Sequence, residues 1–316
     1  MDSDNFKSLQ SVAQDLRKNL SQVIRGKNTA IEYVLVALFS SGNILLEDVP
    51  GVGKTTLAKA LAKSVKGEFN RIQFTPDLLP ADILGGSIYN PQTGDFFFRS
   101  GPMFANIVLA DEINRASPRT QSALLEAMTE GQISIEGERH LLMPPFCVIA
   151  TQNPIEFHGT YPLPEAQLDR FLIRLELGYP EETVELELLN AQRNSNPLEE
   201  IQVVTDCERI VGVQELVRQI GVEKSVAEYI LSIIRKTREH TELRLGASPR
   251  AALMHYRASQ ALAFLRNRDF VLPDDARELA IPVLSHRITV DTKARYSGAD
   301  AERIIMEIIE STPVLI

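Results

Sequence analysis

The sequence has few of the residues that build disulfide frameworks and metal centres. It contains two cysteines, Cys147 and Cys207, which lie far apart without a C-x-x-C spacing. Neither a disulfide framework nor a zinc knuckle is indicated, so both cysteines are expected to be small buried residues. The five histidines never pair at ligand spacing. A metal site built from protein side chains alone is therefore not expected.

Long hydrophobic runs are also missing. The longest purely apolar stretch, YVLVALF at Tyr33–Phe39, is far shorter than the roughly 20 residues that cross a bilayer. The opening MDSDNFKSLQ lacks the basic start and apolar core of a signal peptide, so a cytoplasmic location is expected. An apolar fraction of 44% and a charged fraction of 24% are typical of a globular protein. The length of 316 residues allows about two domains.

An excess of positive charge is absent as well. The net charge of −9 and the pI near 5.2 disfavour a nucleic-acid partner, although a local basic channel stays compatible with them. No repeat of fixed period and no low-complexity tract is visible, which argues against a solenoid.

Five short apolar segments in the N-terminal half predict β-strands. They are NILLE at 43–47, RIQF at 71–74, NIVLAD at 106–111, FCVIAT at 146–151 and FLIRLEL at 171–177. Helical patterns separate these segments, and most of them are too continuously apolar to have a face in water. A parallel sheet covered on both faces by helices is expected.

Helical patterns dominate the rest of the chain, which indicates a domain boundary near Glu182. We expect an αβα domain over 1–182 that includes N-terminal helices, and a helical domain over 183–316. Ser248 as N-cap and Pro249 at the first helical position predict the start of one of its helices. One face of the first N-terminal helix is predicted to carry Leu9, Val12, Ala13, Leu16 and Leu20.

The stretch NILLEDVPGVGKTTLAKALAK, 43–63, places a glycine-rich loop between a buried strand and a helix. In this context Gly51 and Gly53 let backbone N–H groups turn toward phosphate oxygens, Lys54 adds a point charge, and Thr55 offers a hydroxyl to Mg²⁺. The alternative is a chance Gly-Lys-Thr between a strand and a helix. We predict a nucleotide site formed by Val49, Pro50, Gly51, Val52, Gly53, Lys54, Thr55 and Thr56.

Asp48 stands where the strict phosphate-loop pattern has its first glycine. Aspartate tolerates left-handed and turn conformations better than most residues, and Pro50-Gly51 can make the bend itself. The sequence therefore predicts that Asp48→Gly binds and hydrolyses nucleotide almost normally.

NIVLADEINRA places Asp111 and Glu112 at the carboxyl end of a buried strand, where ligands bind in open parallel sheets. Asp111 can hold the water shell of Mg²⁺, and Glu112 can orient or deprotonate the attacking water. Two adjacent carboxylates are also compatible with an ordinary solvated strand end. Their combination with the glycine-rich loop favours the nucleotide site.

Together with that loop and the LADE strand, the run CVIATQNPIEFHGTYPLPEAQLDRFLIRLELGYP resembles the AAA+ ATPases. With DEINRASPRTQSALLEAM it resembles the MoxR family in particular, over about 23–309. The resemblance implies an α/β fold, the AAA+ P-loop αβα sandwich with a parallel sheet, followed by an all-α lid domain. It also implies ATP and Mg²⁺, a homo-oligomeric ring of the hexameric kind, and chaperone-like remodelling of client protein complexes, often with a partner that carries a von Willebrand factor A domain.

The resemblance also implies roles for three further residues. Asn153 matches the polar sensor that orients the lytic water, and Arg170 in AQLDRF matches the arginine finger that reaches the neighbouring subunit's γ-phosphate. Arg250 in ASPRA matches the sensor arginine of the lid, and its place in the first turn of a helix, where a cation opposes the helix dipole, favours an anionic partner. Taken alone, Asn153-Pro is also an ordinary turn signal, and both arginines are also typical of a protein surface.

Two predicted hairpins interrupt the αβα pattern. A segment at about 80–104 resembles the helix-two insert of the clade that includes MoxR proteins and magnesium-chelatase motor subunits, and a second hairpin is predicted at about 131–146. In the first, Phe96 and Phe98 should share one face and Phe97 the other, and they either grip a partner or pack on their own domain. The aromatic-hydrophobic-glycine loop of threading unfoldases is not found.

Two other functions remain as alternatives. One is a metal-chelatase-type motor subunit, which shares the insert. The other is a nucleotide-gated assembly scaffold with little turnover, against which the intact Glu112 argues. A nucleic-acid motor is disfavoured by the net charge.

Overall fold

The computed structural model describes residues 3–135, 137–153, 160–191 and 197–314. Its first part contains, in chain order, α1 (Ser3–Val23), α2 (Asn28–Phe39), β1 (Ile44–Glu47), α3 (Lys54–Ser64), β2 (Phe69–Gln73), α4 (Pro80–Leu84), β3 (Gly85–Tyr89), β4 (Phe96–Ser100), β5 (Ile107–Asp111), α5 (Pro118–Glu130), β6 (Gln132–Ile135), β7 (Glu138–Leu141), β8 (Cys147–Gln152), α6 (Glu165–Leu168) and β9 (Ile173–Leu175). A short 3-10 helix, Ile113–Arg115, follows β5.

The second part is almost entirely helical, as expected. It contains α7 (Glu182–Ala191), α8 (Pro197–Glu200), α9 (Cys207–Val217), α10 (Lys224–Glu239), β10 (Leu243–Leu245), α11 (Pro249–Leu265), α12 (Pro273–Leu284), β11 (Thr289–Val290), α13 (Thr292–Tyr296) and α14 (Ala301–Glu310). Ser248 caps α11 by accepting a hydrogen bond from the Ala251 N–H, and Pro249 takes the first helical position. The division of the chain at Glu182 stays a prediction.

The central sheet has five strands in the order β2-β5-β8-β1-β9, and every neighbouring pair is parallel. Each of the five strands predicted from the sequence is present. Parallel strands bring their carboxyl ends to one edge of the sheet, so the loops after β1, β5 and β8 meet there.

Both faces of the sheet are buried at its centre, where alternate residues of β5 point to opposite sides and all are buried. Ile107 and Leu109 of β5 join a large apolar cluster with α1, α2 and α3, whereas Val108 and Ala110 join a second cluster with α5. The first cluster continues into the helical part of the chain, where Phe39 packs edge-on against Phe264 with ring centres 5.9 Å apart. The predicted apolar face of α1, Leu9 to Leu20, lies in this cluster.

The two predicted hairpins are present as β3–β4 and β6–β7, and they touch each other. Phe98 pairs with Ser87 and Phe96 pairs with Tyr89, so these two phenylalanines share one face as predicted. The Phe98 ring stacks on His140 of the second hairpin, with centres 3.9 Å apart. Phe96 and Phe97 remain 71% and 50% exposed. Phe98 therefore packs internally, while its two neighbours stay available to a partner.

Within the described ranges, no helix is both long enough and apolar enough to cross a membrane.

Candidate active site

A cavity of about 330 Å³ opens at the carboxyl edge of the sheet, between the loops that follow β1, β5 and β8. It brings together residues that the sequence predicted separately. Those that line it are Pro50, Gly51, Gly53, Lys54, Thr55, Thr56, Asp111, Glu112 and Asn153. Two residues that were not predicted, Arg71 and Gln73 of β2, complete the wall.

The glycines of the loop after β1 are required by backbone conformation. Gly51 and Gly53 have φ of 91° and 98°, and no atom lies within 4 Å of the position that a Cβ would take at either residue. Gly53 is the N-cap of α3, so the first turn of that helix, Lys54 to Thr56, forms part of the cavity wall. Its unpaired N–H groups and the positive end of the helix dipole favour an anion there.

Asp48 has a different role from the one expected. The backbone φ of Asp48 is not positive, so Asp48 does not adopt the left-handed conformation that aspartate tolerates. Gly51, whose φ is positive, supplies the bend. The carboxylate is buried and its Oδ2 accepts hydrogen bonds from the backbone N–H groups of Leu177 and Gly178, the latter at 3.0 Å. The Asp48 carbonyl accepts a bond of 2.9 Å from Lys54 Nζ. Asp48 thus links the loop to the segment after β9, and a silent Asp48→Gly substitution is no longer expected.

Thr151, near the end of β8, positions both carboxylates. Its hydroxyl donates to Asp111 Oδ1 at 2.6 Å and accepts from the Glu112 backbone N–H at 2.9 Å. Glu112 has φ 56° and ψ 50°, a left-handed conformation that is uncommon for a residue with a side chain and clusters at functional sites. Sequence reasoning missed Thr151, although a hydroxyl in the apolar strand FCVIAT was the available signal.

The side chains of Asp111 and Glu112 also contact polar residues of β2 and the 3-10 helix. Arg71 donates from Nε and Nη2 to Asp111 Oδ2, at 3.1 and 2.6 Å. Gln73 Nε2 and Arg115 Nη1 both donate to Glu112 Oε2 at 2.9 Å. The signal in the sequence was the alternation of RIQF, since Arg71 and Gln73 are two residues apart and lie on the same side of the strand.

Asn153 lies just past β8 and lines the cavity, and its role as the polar sensor stays a prediction. The residues that follow it in sequence, 154–159, lie outside the described part of the chain.

The two predicted arginines do not reach the cavity. Arg170 Nη1 donates to the Leu125 carbonyl at 2.7 Å and to Thr129 Oγ1 at 2.6 Å, both near the end of α5. Arg250 is exposed in the first turn of α11. Arg250 is not among the residues that line the cavity, and its role as the sensor arginine of the lid stays a prediction.

Asp169, the residue before Arg170, connects the segment between α6 and β9 to α11. It accepts hydrogen bonds from the Ser248 hydroxyl at 2.9 Å and from Arg287 Nε at 3.0 Å. Burial lowers the pKa of the Arg287 guanidinium to about 10, and the neighbouring Asp169 opposes that shift, so the guanidinium stays charged at neutral pH. The start of α11 is thereby anchored close to Arg170.

A second cavity, of about 260 Å³, adjoins the first at the glycine-rich loop. The two cavities share Gly51, Gly53 and Thr56. Apolar side chains of the second include Val23, Ile24, Val52 and Leu198. Val49 is half-buried and lines neither cavity. The contribution of Val23 and Ile24 was not predicted, because residues so distant in sequence meet only through the fold.

A glycine-rich loop between a buried strand and a helix, with an Asp-Glu pair on the adjacent strand end of a parallel sheet, defines a P-loop nucleotide-binding protein. Comparison with protein families agrees with this class. Residues 43–173 match the model described as "ATPase family associated with various cellular activities (AAA)", and residues 235–308 match the AAA lid domain.

Comparison with individual proteins narrows the class. The chain is 49% identical to the uncharacterized protein YeaC of Bacillus subtilis, over 94% of this chain and 93% of that one. It is 40% identical to Chaperone MoxR1 of Mycobacterium tuberculosis, over 92% and 79%. A crystal structure of a Cytophaga hutchinsonii protein described as an ATPase superposes with a TM-score of 0.93 at 37% identity, covering 99% of this chain and 98% of that one. The chain belongs to the MoxR family of AAA+ ATPases.

Proposed function

We propose that the protein hydrolyses ATP with Mg²⁺ at the 330 Å³ cavity and that it does so within a hexameric ring that remodels or matures client protein complexes. The observation that carries the proposal is the convergence of Lys54, Thr55, Asp111, Glu112 and Asn153 on that one cavity. Each is the residue type that phosphoryl transfer to water requires at that place.

The oxygen atoms at the site fit magnesium. The Thr55 hydroxyl and the Asp111 carboxylate line the same cavity, and hard oxygen ligands are those that Mg²⁺ prefers beside phosphate. When bound, the ion neutralises charge that develops on the phosphate oxygens. Lys54 and the first turn of α3 would hold the phosphates, Asn153 would orient the attacking water, and Glu112 would accept its proton.

The second cavity suits the nucleoside. Its apolar side chains, among them Val23 and Ile24, offer surface for an aromatic base, and it shares the glycine-rich loop with the phosphate cavity. A nucleotide that passes over Gly51 and Gly53 would occupy both cavities. The turn between α1 and α2 would then sense the base.

Arg170 is proposed to act in trans. Its position beside Leu125 and Thr129, away from the cavity of its own chain, suits a residue that serves the neighbouring subunit. Arg250 is proposed to contact nucleotide only after the helical region moves toward the loop. Its link to Arg170, through Ser248 and Asp169, gives that movement a route to the subunit interface.

The client is proposed to be a protein complex. The relative named Chaperone MoxR1 supports a chaperone-like role, and the exposed Phe96 and Phe97 supply apolar surface for a partner. A partner with a von Willebrand factor A domain and a cytoplasmic location stay predictions.

The direct test compares wild type with Lys54→Ala and Glu112→Gln in nucleotide binding and ATP turnover. Lys54→Ala should lose tight binding because the charge on the phosphates is gone. Glu112→Gln should bind ATP and turn over at least about a hundredfold more slowly, since the base that takes the proton of water is removed. Normal binding by the first variant or near-normal turnover by the second would refute the proposal. High-affinity binding with negligible turnover by the wild type itself would favour the scaffold alternative.

A further inference from the structure

Arg71 occupies the side of Asp111 that faces the cavity. Its Nε and Nη2 both donate to Asp111 Oδ2, and Nη2 also donates to Gln73 Oε1 at 3.0 Å. A carboxylate oxygen has two lone pairs, so two N–H donors saturate Oδ2. The other oxygen, Oδ1, already accepts from Thr151. A metal-bound water that approaches Asp111 Oδ2 must therefore replace a hydrogen bond from Arg71.

The Arg71 side chain is free to leave this position, whereas its backbone is not. Arg71 belongs to β2, which pairs with β5 along its whole length, so the Cα is fixed by the sheet. The side chain itself is 48% exposed, and an ion pair with such an exposed partner is weak. By contrast, Asp111 is 12% exposed and held by Thr151, so the arginine rather than the aspartate is expected to move.

The cavity offers Arg71 a second partner if phosphate is bound. Arg71 and Lys54 line the same cavity, and a guanidinium matches two phosphate oxygens with parallel N–H donors, which the ammonium of Lys54 does not. A cation that loses its carboxylate to Mg²⁺ and gains a phosphate exchanges one charged partner for another. The exchange therefore leaves no unpaired charge in the site.

We propose that Arg71 is a displaceable cation that competes with Mg²⁺ for Asp111 and, once displaced, binds the phosphates of the nucleotide. This inference rests on the proposed function, because it requires magnesium and nucleotide at this cavity. Arg71 is then a binding residue with two positions. When Arg71 is removed, the Mg²⁺ concentration at the midpoint should fall, whereas the nucleotide Kd should rise.

The test measures nucleotide binding rather than turnover. A fluorescent ADP analogue is titrated at saturating Mg²⁺ to give Kd, and Mg²⁺ is titrated at fixed analogue to give the midpoint. In Arg71→Gln the Mg²⁺ midpoint should fall about two- to fivefold, the factor that a partly exposed ion pair supplies. The nucleotide Kd should rise about tenfold, because a charge-assisted contact with phosphate is lost.

Two controls separate this role from a structural one. Arg295→Gln, a substitution at an exposed arginine of α13 that does not line the cavity, should change neither constant. In an Asp111→Asn background the effect of Arg71→Gln on the Mg²⁺ midpoint should vanish, since the contested carboxylate is gone. A residue that merely braced Asp111 would raise the midpoint when removed. An unchanged or raised midpoint, an unchanged Kd, or an effect that persists in the Asp111→Asn background would each overturn the proposal.

If the proposed function itself were wrong, the same measurements would give a different result. In that case the wild type would bind no nucleotide, or would bind it without dependence on Lys54. If the wild type binds nucleotide through Lys54 and Arg71→Gln behaves like Arg295→Gln, only the role of Arg71 is refuted.

Discussion

The carboxylate of Asp48 accepts a hydrogen bond of 3.0 Å from the backbone N–H of Gly178. The first residue is in the phosphate loop, and the second lies after the last strand of the sheet, shortly before α7. A second bond, from the Leu177 N–H, reaches the same carboxylate oxygen. The residue that replaces the first glycine of the phosphate-loop pattern therefore joins the loop to the segment that leads into the helical region.

Asp48→Gly should destabilise the protein and weaken nucleotide binding. It leaves two backbone N–H groups without their charged acceptor, which costs about 2–4 kcal/mol in the free energy of unfolding. Urea unfolding and the Kd of a fluorescent ADP analogue would measure both effects. Asp48→Asn keeps an oxygen that accepts both bonds, so it should retain most of the stability. If the glycine variant matches the wild type in both measurements, the link has no energetic role.

Thr151→Val should slow turnover without abolishing nucleotide binding. Valine has nearly the same shape, but it removes the hydroxyl that donates to Asp111 and accepts from Glu112 N–H. The loss of one buried hydrogen-bonded group of this kind costs about 1–3 kcal/mol. If that stabilisation is lost in the transition state, kcat should fall roughly 10- to 100-fold. Thr151→Ser restores the hydroxyl and should recover activity. Equal kcat for the valine and serine variants would contradict the positioning role.

The protein should lose stability as pH falls below neutrality because of His255. This side chain is fully buried, and desolvation lowers its pKa from 6.5 to about 4. The unfolded chain binds a proton that the folded chain refuses, so the stabilisation is complete above pH 6.5 and is lost as pH falls toward 4. The free energy of unfolding should drop by about 2 kcal/mol between pH 6.5 and about pH 5 for this group alone.

Chemical unfolding at several pH values checks this expectation. Burial also lowers the pKa of His286, so the wild type should show a dependence steeper than one group gives. His255→Gln removes one titrating group and should flatten the curve, whereas His240→Gln, at a partly exposed site, serves as the matched control. A variant at His255 with the wild-type slope would show that the buried imidazole does not control acid sensitivity.

The stack of Phe98 on His140 should protect the first hairpin from proteolysis. Phe98 stacks on His140, which joins β4 to β7, whereas Phe96 and Phe97 are exposed. Phe98→Ala should separate the hairpins and increase proteolysis within 85–100, while Phe97→Ser should leave proteolysis unchanged. Limited proteolysis with mass spectrometry distinguishes these outcomes. Equal protection in both variants would mean that the stack does not hold the hairpins.

Local apolar patterning accounts for the parts of the fold that were predictable. All five strands of the sheet appear where short runs predicted them. β1, β5 and β8 are apolar almost throughout because they are buried on both faces. The short strands Leu243–Leu245 and Thr289–Val290 were not anticipated, since two or three residues carry no periodic signal. Patterning thus predicts the strands that lie within a longer apolar run, as β9 does within FLIRLEL, and it fails for two- or three-residue strands outside such runs.

In the site, as in the fold, the residues that could be predicted are those that belong to a local sequence motif. The glycine-rich loop and the Asp-Glu pair have motifs, and the structure brings them together. Arg71 and Thr151 have none, because their roles depend on which strands are neighbours: β2 and β8 flank β5 on either side. The left-handed backbone of Glu112, whose N–H donates to Thr151, likewise has no signal in its own residue type.

The central claim, an ATPase whose site is completed by a neighbouring subunit, is tested most directly by mixing subunits. ATP turnover per protomer is measured against protein concentration, and then at fixed total protein with increasing fractions of Arg170→Ala. The account predicts that turnover per protomer rises with concentration and that the variant lowers the turnover of the wild-type subunits with which it assembles. Turnover that is independent of concentration and falls only in proportion to the wild-type fraction would contradict it.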